Sequence, residues 1–386
     1  MSPALKALIH VQHLLGTGHA VRAVAIGRAL AQQGVRVVLA TGNTLPPTLD
    51  TGGLEVVALP AARAADTGFT RLVTATGAPV DAAWQAERRA RLLGLAAALA
   101  PDILVTETWP FGRKPFAFEL KPLVAAVRAQ TPAAVVAASV RDILVRKDDP
   151  AKEQAMALLA RADFDCVLVH ADPAFVRLED SFGFAADIAD LIAYTGFVHT
   201  PSPLEPPGRD GCDEVIVSCG GGPVGQRLIA AALAARPLSR RAGDAPWRVL
   251  VGHQHGADRL AALQAAAPPG VTVETARPDF ARLLARARLS VSQAGYNTVL
   301  DVLAAGTRAV LVPFAEGRET EQAQRADLLA ARGRAVVLAE AGVDAARLAA
   351  AADAALAAPA VATPVNTDGA ATSAALLIER ARRKRG

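Results

Sequence analysis

The stretch that decides the fold is residues 289–335, LSVSQAGYNTVLDVLAAGTRAVLVPFAEGRETEQAQRADLLAARGRA. It opens as a short apolar strand over 289–291 and passes through the loop Ser292-Gln293-Ala294-Gly295-Tyr296-Asn297. The spacing predicts a helix from near Thr298 to Gly306, a residue suited to a left-handed C-cap. A second apolar strand, 309–312, ends at Pro313, and a polar loop and another helix follow. Free backbone N–H groups at such a helix start, together with the helix dipole, favour an anion. Asp301, one turn after Thr298, is placed to accept hydrogen bonds from sugar hydroxyls. The pattern points to a nucleoside diphosphate, with phosphates at Gly295, Tyr296, Asn297 and Thr298 and a ribose at Asp301. An ordinary βαβ crossover with a tight turn has the same local pattern.

Working outward, the same βα rhythm recurs on both sides of a Pro- and Gly-rich segment, 199–212. That segment carries Pro201, Pro203, Pro206, Pro207, Gly208 and Gly211 and reads as a linker. The chain of 386 residues is therefore expected to form two α/β domains, 1–198 and 213–368, with a last helix and basic tail over 369–386. With 52% hydrophobic and 20% charged residues, each domain can bury a sizeable core. The net charge of +4 is too small and too scattered for a nucleic-acid binder and suits anionic ligands. Cys166, Cys212 and Cys219 match neither a zinc motif nor a disulfide framework, so reduced thiols and a cytoplasmic protein are expected. The N-terminus lacks the apolar run of a signal peptide, and no window has the length of a membrane span.

In the first half, 5–11 reads as a buried strand, followed by Gly16-Thr17-Gly18-His19-Ala20-Val21-Arg22 and a helix to Gln33. Gly16, Gly18, His19 and Arg22 thus sit where open α/β sheets place ligands. His19 is read either as a substrate contact or as a helix-start residue bonded to backbone. Arg22 faces a phosphate or pairs with a local carboxylate. Another strand is read over 103–106, and Glu107 opens the loop Glu107-Thr108-Trp109-Pro110-Phe111-Gly112-Arg113-Lys114 at its end, a candidate general base. A salt bridge to Arg113 or Lys114 is the alternative. Arg141, at the end of a third strand, is placed for an acceptor phosphate or for pairing with Asp142. The helix over 82–100 carries Glu87, Arg88, Arg89 and Arg91, a pattern read as a solvated face. In the second half, Gly220-Gly221-Gly222 follows a first strand and allows close approach of phosphate or sugar. His253 and His255 stand two residues apart, but no further ligand accompanies them, so no metal and no bound cofactor are expected.

The wording of 289–335 resembles the donor-binding half of the MurG-like glycosyltransferases of family 28, which have the GT-B fold. The shared run is Ser292, Ala294-Gly295, Thr298-Val299, Ala304-Ala305-Gly306, Pro313-Phe314 and Gln322. The family usually has Glu where this chain has Asp301, and paired Gln where it has Glu321-Gln322. The resemblance extends to the loop beginning Gly220-Gly221-Gly222 and to His253-Gln254-His255-Gly256. It implies two doubly wound Rossmann-like domains facing a central cleft, with the C-terminal one holding a nucleotide sugar, UDP-linked as the leading expectation. It further implies a base site at Arg277, mainly through backbone, with Phe280 beneath it, and a sugar contact at Gln322. The loop Gly16 to Arg22 is similar to that of MurG-like transferases and equally to that of PseG-like UDP-sugar hydrolases, which use the His at the reaction centre. Sugar transfer without a metal, to a small-molecule or lipid-linked acceptor, is the leading expectation. A lipid-linked acceptor would imply peripheral membrane contact. Hydrolysis with water activated by His19, and non-catalytic nucleotide-sugar binding, are the alternatives.

Overall fold

The computed structural model describes residues 4–14, 17–46, 49–65, 71–200, 204–219, 225–314, 320–359 and 361–386. The chain divides into two compact units, 1–199 with 365–386, and 200–364.

The first unit opens with β1 (Lys6–Val11), α1 (Gly18–Gln32), β2 (Arg36–Thr41) and β3 (Leu54–Ala58). A small antiparallel pair, β4 (Ala62–Ala64) and β5 (Leu72–Thr74), precedes α2 (Ala82–Leu99). Then come β6 (Ile103–Glu107), α3 (Ala117–Gln130), β7 (Val135–Arg141), α4 (Pro150–Asp163), β8 (Cys166–His170) and β9 (Ile192–Tyr194). Seven strands form one parallel sheet in the order β3-β2-β1-β6-β7-β8-β9. Helices cover both faces of such a sheet, so its central strands are continuous apolar runs. ILVTE of β6 and CVLVH of β8 are buried at every position. Asp81 and Asp149 cap α2 and α4, each accepting from a backbone N–H, and Pro150 begins α4.

One expectation about α2 fails. Arg88 does not join a solvated face; it is fully buried, between the rings of Trp84 and Phe116. The partner that makes this tolerable is Glu119 on α3, which accepts from Arg88 Nε at 2.7 Å and from its terminal nitrogen at 2.8 Å.

The second unit follows with β10 (Val215–Ser218), α5 (Gln226–Ala235), β11 (Trp247–Val251), α6 (Ala257–Ala265) and β12 (Val271–Thr275). It continues with α7 (Phe280–Arg286), β13 (Leu289–Ser292), α8 (Tyr296–Ala305), β14 (Ala309–Leu311), α9 (Glu321–Ala331), β15 (Ala335–Val337) and α10 (Ala345–Ala357). Its six-stranded parallel sheet runs β12-β11-β10-β13-β14-β15. Residues 204–212 pack within this unit. Glu205 pairs with Arg282 and Arg286, and Asp210 with Arg248 and Arg277.

The last helix, α11 (Gly369–Arg385), belongs to the first unit and packs against α1. Ala374, Leu377, Ile378 and Ala381 enter the core built on β1, α1 and β2. The basic tail is largely spent inside the unit. Arg380 donates to the Asp165 carbonyl, Lys384 pairs with the Asp165 carboxylate, and Arg385 pairs with Asp102. Among the described residues no helix is long and apolar enough to cross a membrane.

Gly369 starts α11 where its N–H donates to the Phe197 carbonyl at 3.0 Å. A Cβ there would lie 2.4 Å from the Gly196 carbonyl oxygen, so backbone would have to move. Gly369→Ala is expected to lose about 1–3 kcal/mol as overpacking. In α2, Gly94 has no described residue within 4 Å of its would-be Cβ, and Gly94→Ala is expected to gain roughly 0.5–1 kcal/mol from helix propensity. Urea unfolding of the two variants, which should move in opposite directions, checks both.

Candidate active site

Ligands of parallel α/β sheets bind beyond the strand C-termini, where the strand order reverses. In the first unit that point lies between β1 and β6. His19 is the second residue of α1, and Glu107 is the last residue of β6. His19 Nδ1 lies 2.9 Å from Glu107 Oε1. Arg22, one turn further along α1, reaches both oxygens of the same carboxylate. The salt bridge that Glu107 makes is therefore to Arg22 rather than to Arg113 or Lys114. Burial alone would raise the Glu107 pKa, but Arg22 and the His19 hydrogen bond outweigh it and hold the carboxyl well below its usual range. Burial pushes the His19 imidazole down to about 3, with the charges of Arg113 and Arg22 adding to it and Glu107 opposing.

A neutral imidazole carries one ring proton. Thr108 Oγ1 at 3.2 Å and an Arg22 nitrogen at 3.1 Å also approach Nδ1. The ionised carboxylate is the closest group, and two lone pairs facing each other at 2.9 Å would repel, so the proton sits on Nδ1 and is donated to Glu107. Nε2 is left to take a proton from a substrate. Thr108 holds φ at +70°, which a β-branched residue rarely adopts. Strain of this kind collects at functional sites. Arg113 is likewise left-handed and donates to the Gln12 carbonyl at 2.7 Å. Gly18 is the first residue of α1, and Gly16 lies outside the described residues. Arg141 ends β7, half-buried, in register with His170.

In the second unit the order reverses between β10 and β13, with Ser218 and Ser292 in register. The loop after β13 leads straight into α8, which starts at Tyr296, two residues earlier than the spacing suggested. Gly295 is its N-cap at φ −63°, and neither a side-chain cap nor an acidic first-turn residue serves this helix start. Among the described residues a Cβ on Gly295 would meet nothing closer than Thr298 Oγ1 at 4.0 Å. Backbone conformation and packing against the described residues thus do not demand glycine there, and none of those residues fills the space where a Gly295 Cβ would lie, beside the helix N-terminus. Asn297, Thr298 and Asp301 are half-buried, while Val299, Leu300, Val302 and Leu303 face the core. The three polar side chains share the outer face of α8. Arg325 on α9 is buried, donates to the Ala294 carbonyl at 2.7 Å and lies over the Tyr296 ring. It fixes the loop from beneath and was not singled out in the sequence.

Gln322, at the start of α9, accepts the Phe314 N–H at 3.1 Å through its Oε1. Phe280 begins α7, half-buried. The Arg277 guanidinium is committed to Asp279 and Asp210 and also reaches Glu274, which raises its pKa, so only its backbone is left for a base. His253 lies exposed in a single 3-10 turn, 253–255. Gly220, Gly221 and Gly222 lie outside the described residues; Gly225, just before α5, holds φ at +87°, and a Cβ there would strike Cys219 Sγ. Among the described residues no three His, Cys, Asp or Glu side chains are grouped to hold a metal.

Residues 216–380 match the glycosyltransferase family 28 C-terminal domain. Over these residues the chain is similar to the C-terminal domain of family 28 glycosyltransferases. A UDP-N-acetylglucosamine–N-acetylmuramyl-(pentapeptide) pyrophosphoryl-undecaprenol N-acetylglucosamine transferase from Aromatoleum aromaticum is 41% identical over 109 residues, 28% of this chain and 30% of that protein. The chain thus spans about a third of the length of the curated relatives it matches. Among solved structures, MurG of Acinetobacter baumannii aligns with 98% of this chain and 94% of its own, at a TM-score of 0.54 and 17% identity. The calicheamicin glycosyltransferase CalG4 aligns with 99% and 95%, at 0.61 and 17%. The two parallel-sheet α/β units are therefore those of the GT-B fold. The hydrolase reading draws no support from these transferases.

The family 28 match, 216–380, covers most of the second unit and runs into α11, whereas His19 and Glu107 lie outside it in the first unit. That site has a pH signature of its own. Folded His19 and His170 both have pKa values lowered to about 3 by burial. The unfolded chain binds more protons between about 3 and about 6.5, so stability is full above the unfolded value and is lost as pH falls. The urea midpoint is expected to drop from about pH 6.5 towards about pH 4, with a shallower slope in His170→Gln.

Proposed function

We propose that the protein transfers a sugar from a nucleoside-diphosphate sugar, with UDP as the nucleotide, to an acceptor hydroxyl. The observation that carries this reading is the family 28 domain with an uncapped α8 N-terminus. The diphosphate would lie against the N–H groups at Gly295, Tyr296, Asn297 and Thr298, and Asp301 would accept from the ribose hydroxyls. The helix start would stabilise the leaving diphosphate as its charge develops. UDP is favoured because the matched relative is named for a UDP-linked donor. Its acceptor is lipid-linked by name, and a lipid-linked or free small-molecule alcohol is proposed here. A lipid-linked acceptor would bring the protein to a membrane surface.

His19 supplies the base. Its Nε2 takes the acceptor proton, the freed oxygen attacks the anomeric carbon, and the bond to the diphosphate breaks. The imidazolium formed is held by ionised Glu107. A substrate bringing negative charge beside His19 raises its low resting pKa.

The test is release of nucleoside diphosphate from UDP-, dTDP- and GDP-sugars, with and without polyprenyl-pyrophosphate sugars or simple alcohols. Acceptor-dependent release is expected; release equal with and without acceptor, or none with any donor, would count against transfer. Asp301→Ala is expected to raise the donor KM by about tenfold to a hundredfold, the loss of a hydrogen bond to a charged group. An unchanged KM would remove Asp301 from the donor site.

A further inference from the structure

Four neighbouring strands of the first unit each carry one polar side chain at or near the C-terminal end, and these side chains touch in sequence. Glu107 closes β6, and Ser139 is its register partner on β7. His170 closes β8, and Thr195 follows β9. Ser139 Oγ lies 2.6 Å from Glu107 Oε2 and 2.9 Å from His170 Nε2. His170 Nδ1 lies 2.9 Å from Thr195 Oγ1. All four residues are at most 2% exposed. A polar line through the end of an apolar sheet is costly unless every member is satisfied, and a satisfied one rigidifies its surroundings.

The distances fix the direction of every proton. Glu107 is ionised and offers no hydrogen, so the 2.6 Å contact needs the Ser139 hydroxyl to donate. Ser139 then accepts Nε2–H from His170, whose bare Nδ1 accepts from Thr195. The reverse order would have Thr195 donate to the Gly196 carbonyl, also 2.9 Å away, and His170 donate from Nδ1. Ser139 would then spend its only proton on His170, leaving two oxygen lone pairs facing each other at 2.6 Å. His19 and His170 therefore hold opposite tautomers.

We propose that Ser139 and His170 are positioning residues that fix the orientation of Glu107 and, through it, the Nδ1–H tautomer of His19. The proposal rests on the reading of His19 as the base. Arg22 reaches both carboxylate oxygens, and the shorter bond from Ser139 fixes Oε2 against rotation, so Oε1 stays aimed at His19.

The test is ring-¹⁵N NMR of the full chain with labelled histidine, the two residues being assigned by His19→Gln and His170→Gln. In the unmutated protein His19 is expected to be protonated on Nδ1 and His170 on Nε2. Ser139→Ala and His170→Leu should convert His19 to a mixture of tautomers and shift its titration. His170→Gln, which keeps an amide N–H near the place of Nε2–H, should preserve the wild-type His19 signal. In turnover, Ser139→Ala is expected to lower kcat on the order of tenfold, a fraction of the roughly 10²- to 10⁴-fold a positioned base supplies, with donor KM unchanged. Protonation of His170 on Nδ1, or an unmoved His19 signal in both folded variants, would overturn the proposal. Should Ser139→Ala fail to fold, the two wild-type tautomers and His170→Gln still decide it. The ring measurement needs no substrate, so absence of transfer by the wild-type protein counts against the proposed function alone.

Discussion

His19→Ala is expected to lower kcat/KM for sugar transfer by about 10²- to 10⁴-fold, the contribution of a positioned general base. The fold should survive, because the imidazole sits at the edge of the buried site, with its side chain 17% exposed. Glu107 keeps its bonds to Arg22 and Ser139 in the variant, so no buried charge is stranded. The loss should fall mainly on kcat, since proton removal belongs to the transition state. Steady-state kinetics alongside far-UV circular dichroism separate this from unfolding. A folded variant with turnover within about twofold of wild type would remove His19 from the chemistry.

Glu119→Ala is expected to destabilise the protein by about 3–5 kcal/mol, the usual result of stranding one member of a buried ion pair. Arg88 has no exposed surface and sits 4.9 Å over the Phe116 ring. Without Glu119 it keeps, among the described residues, only Gln12 Oε1 at 2.7 Å and the Pro60 carbonyl at 2.8 Å as neutral acceptors. His10, which meets Glu119 Oε1 at 3.2 Å, loses its partner as well. Burial opposes ionisation of Glu119, but His10 and Arg88 together hold its pKa below the usual value. Its stabilisation is therefore present above the unfolded carboxylate value, about 4.3, and is lost as pH falls below it. The double variant Arg88→Met with Glu119→Leu should recover most of the loss, because removing both charges removes the desolvation cost with them. Urea unfolding checks this; a loss under about 1 kcal/mol in Glu119→Ala would show that Arg88 is not held by that carboxylate.

Much of the fold could be read from residue pattern because buried parallel strands are short apolar runs between glycine-marked loops. ILVT before Glu107 and CVLV before His170 are such runs. Helix ends were less legible. α8 gains a first turn at Tyr296 because Arg325, on the next helix, holds the preceding loop, a tertiary contact no local spacing reveals. His19, Arg22 and Glu107 stood out individually, yet their pairing spans 85 and 88 residues and depends on which strands are neighbours. Ser139, His170 and Thr195 were missed. Each is a single polar residue at or near the end of an apolar strand, and only the hydrogen bonds across the folded sheet show that they form one line. Arg88 was misread for a related reason. Its helix pattern is that of a surface, and the carboxylate that lets it be buried lies 31 residues on.

Nucleotide binding at the α8 N-terminus is tested most directly by the melting temperature of the full chain against UDP, dTDP, GDP and their sugars, with and without Mg²⁺. A ligand that binds only the folded state raises the melting temperature by mass action. A rise with the uridine compounds in wild type, lost in Asp301→Ala, is the expected result. No rise with any nucleotide would contradict the donor site.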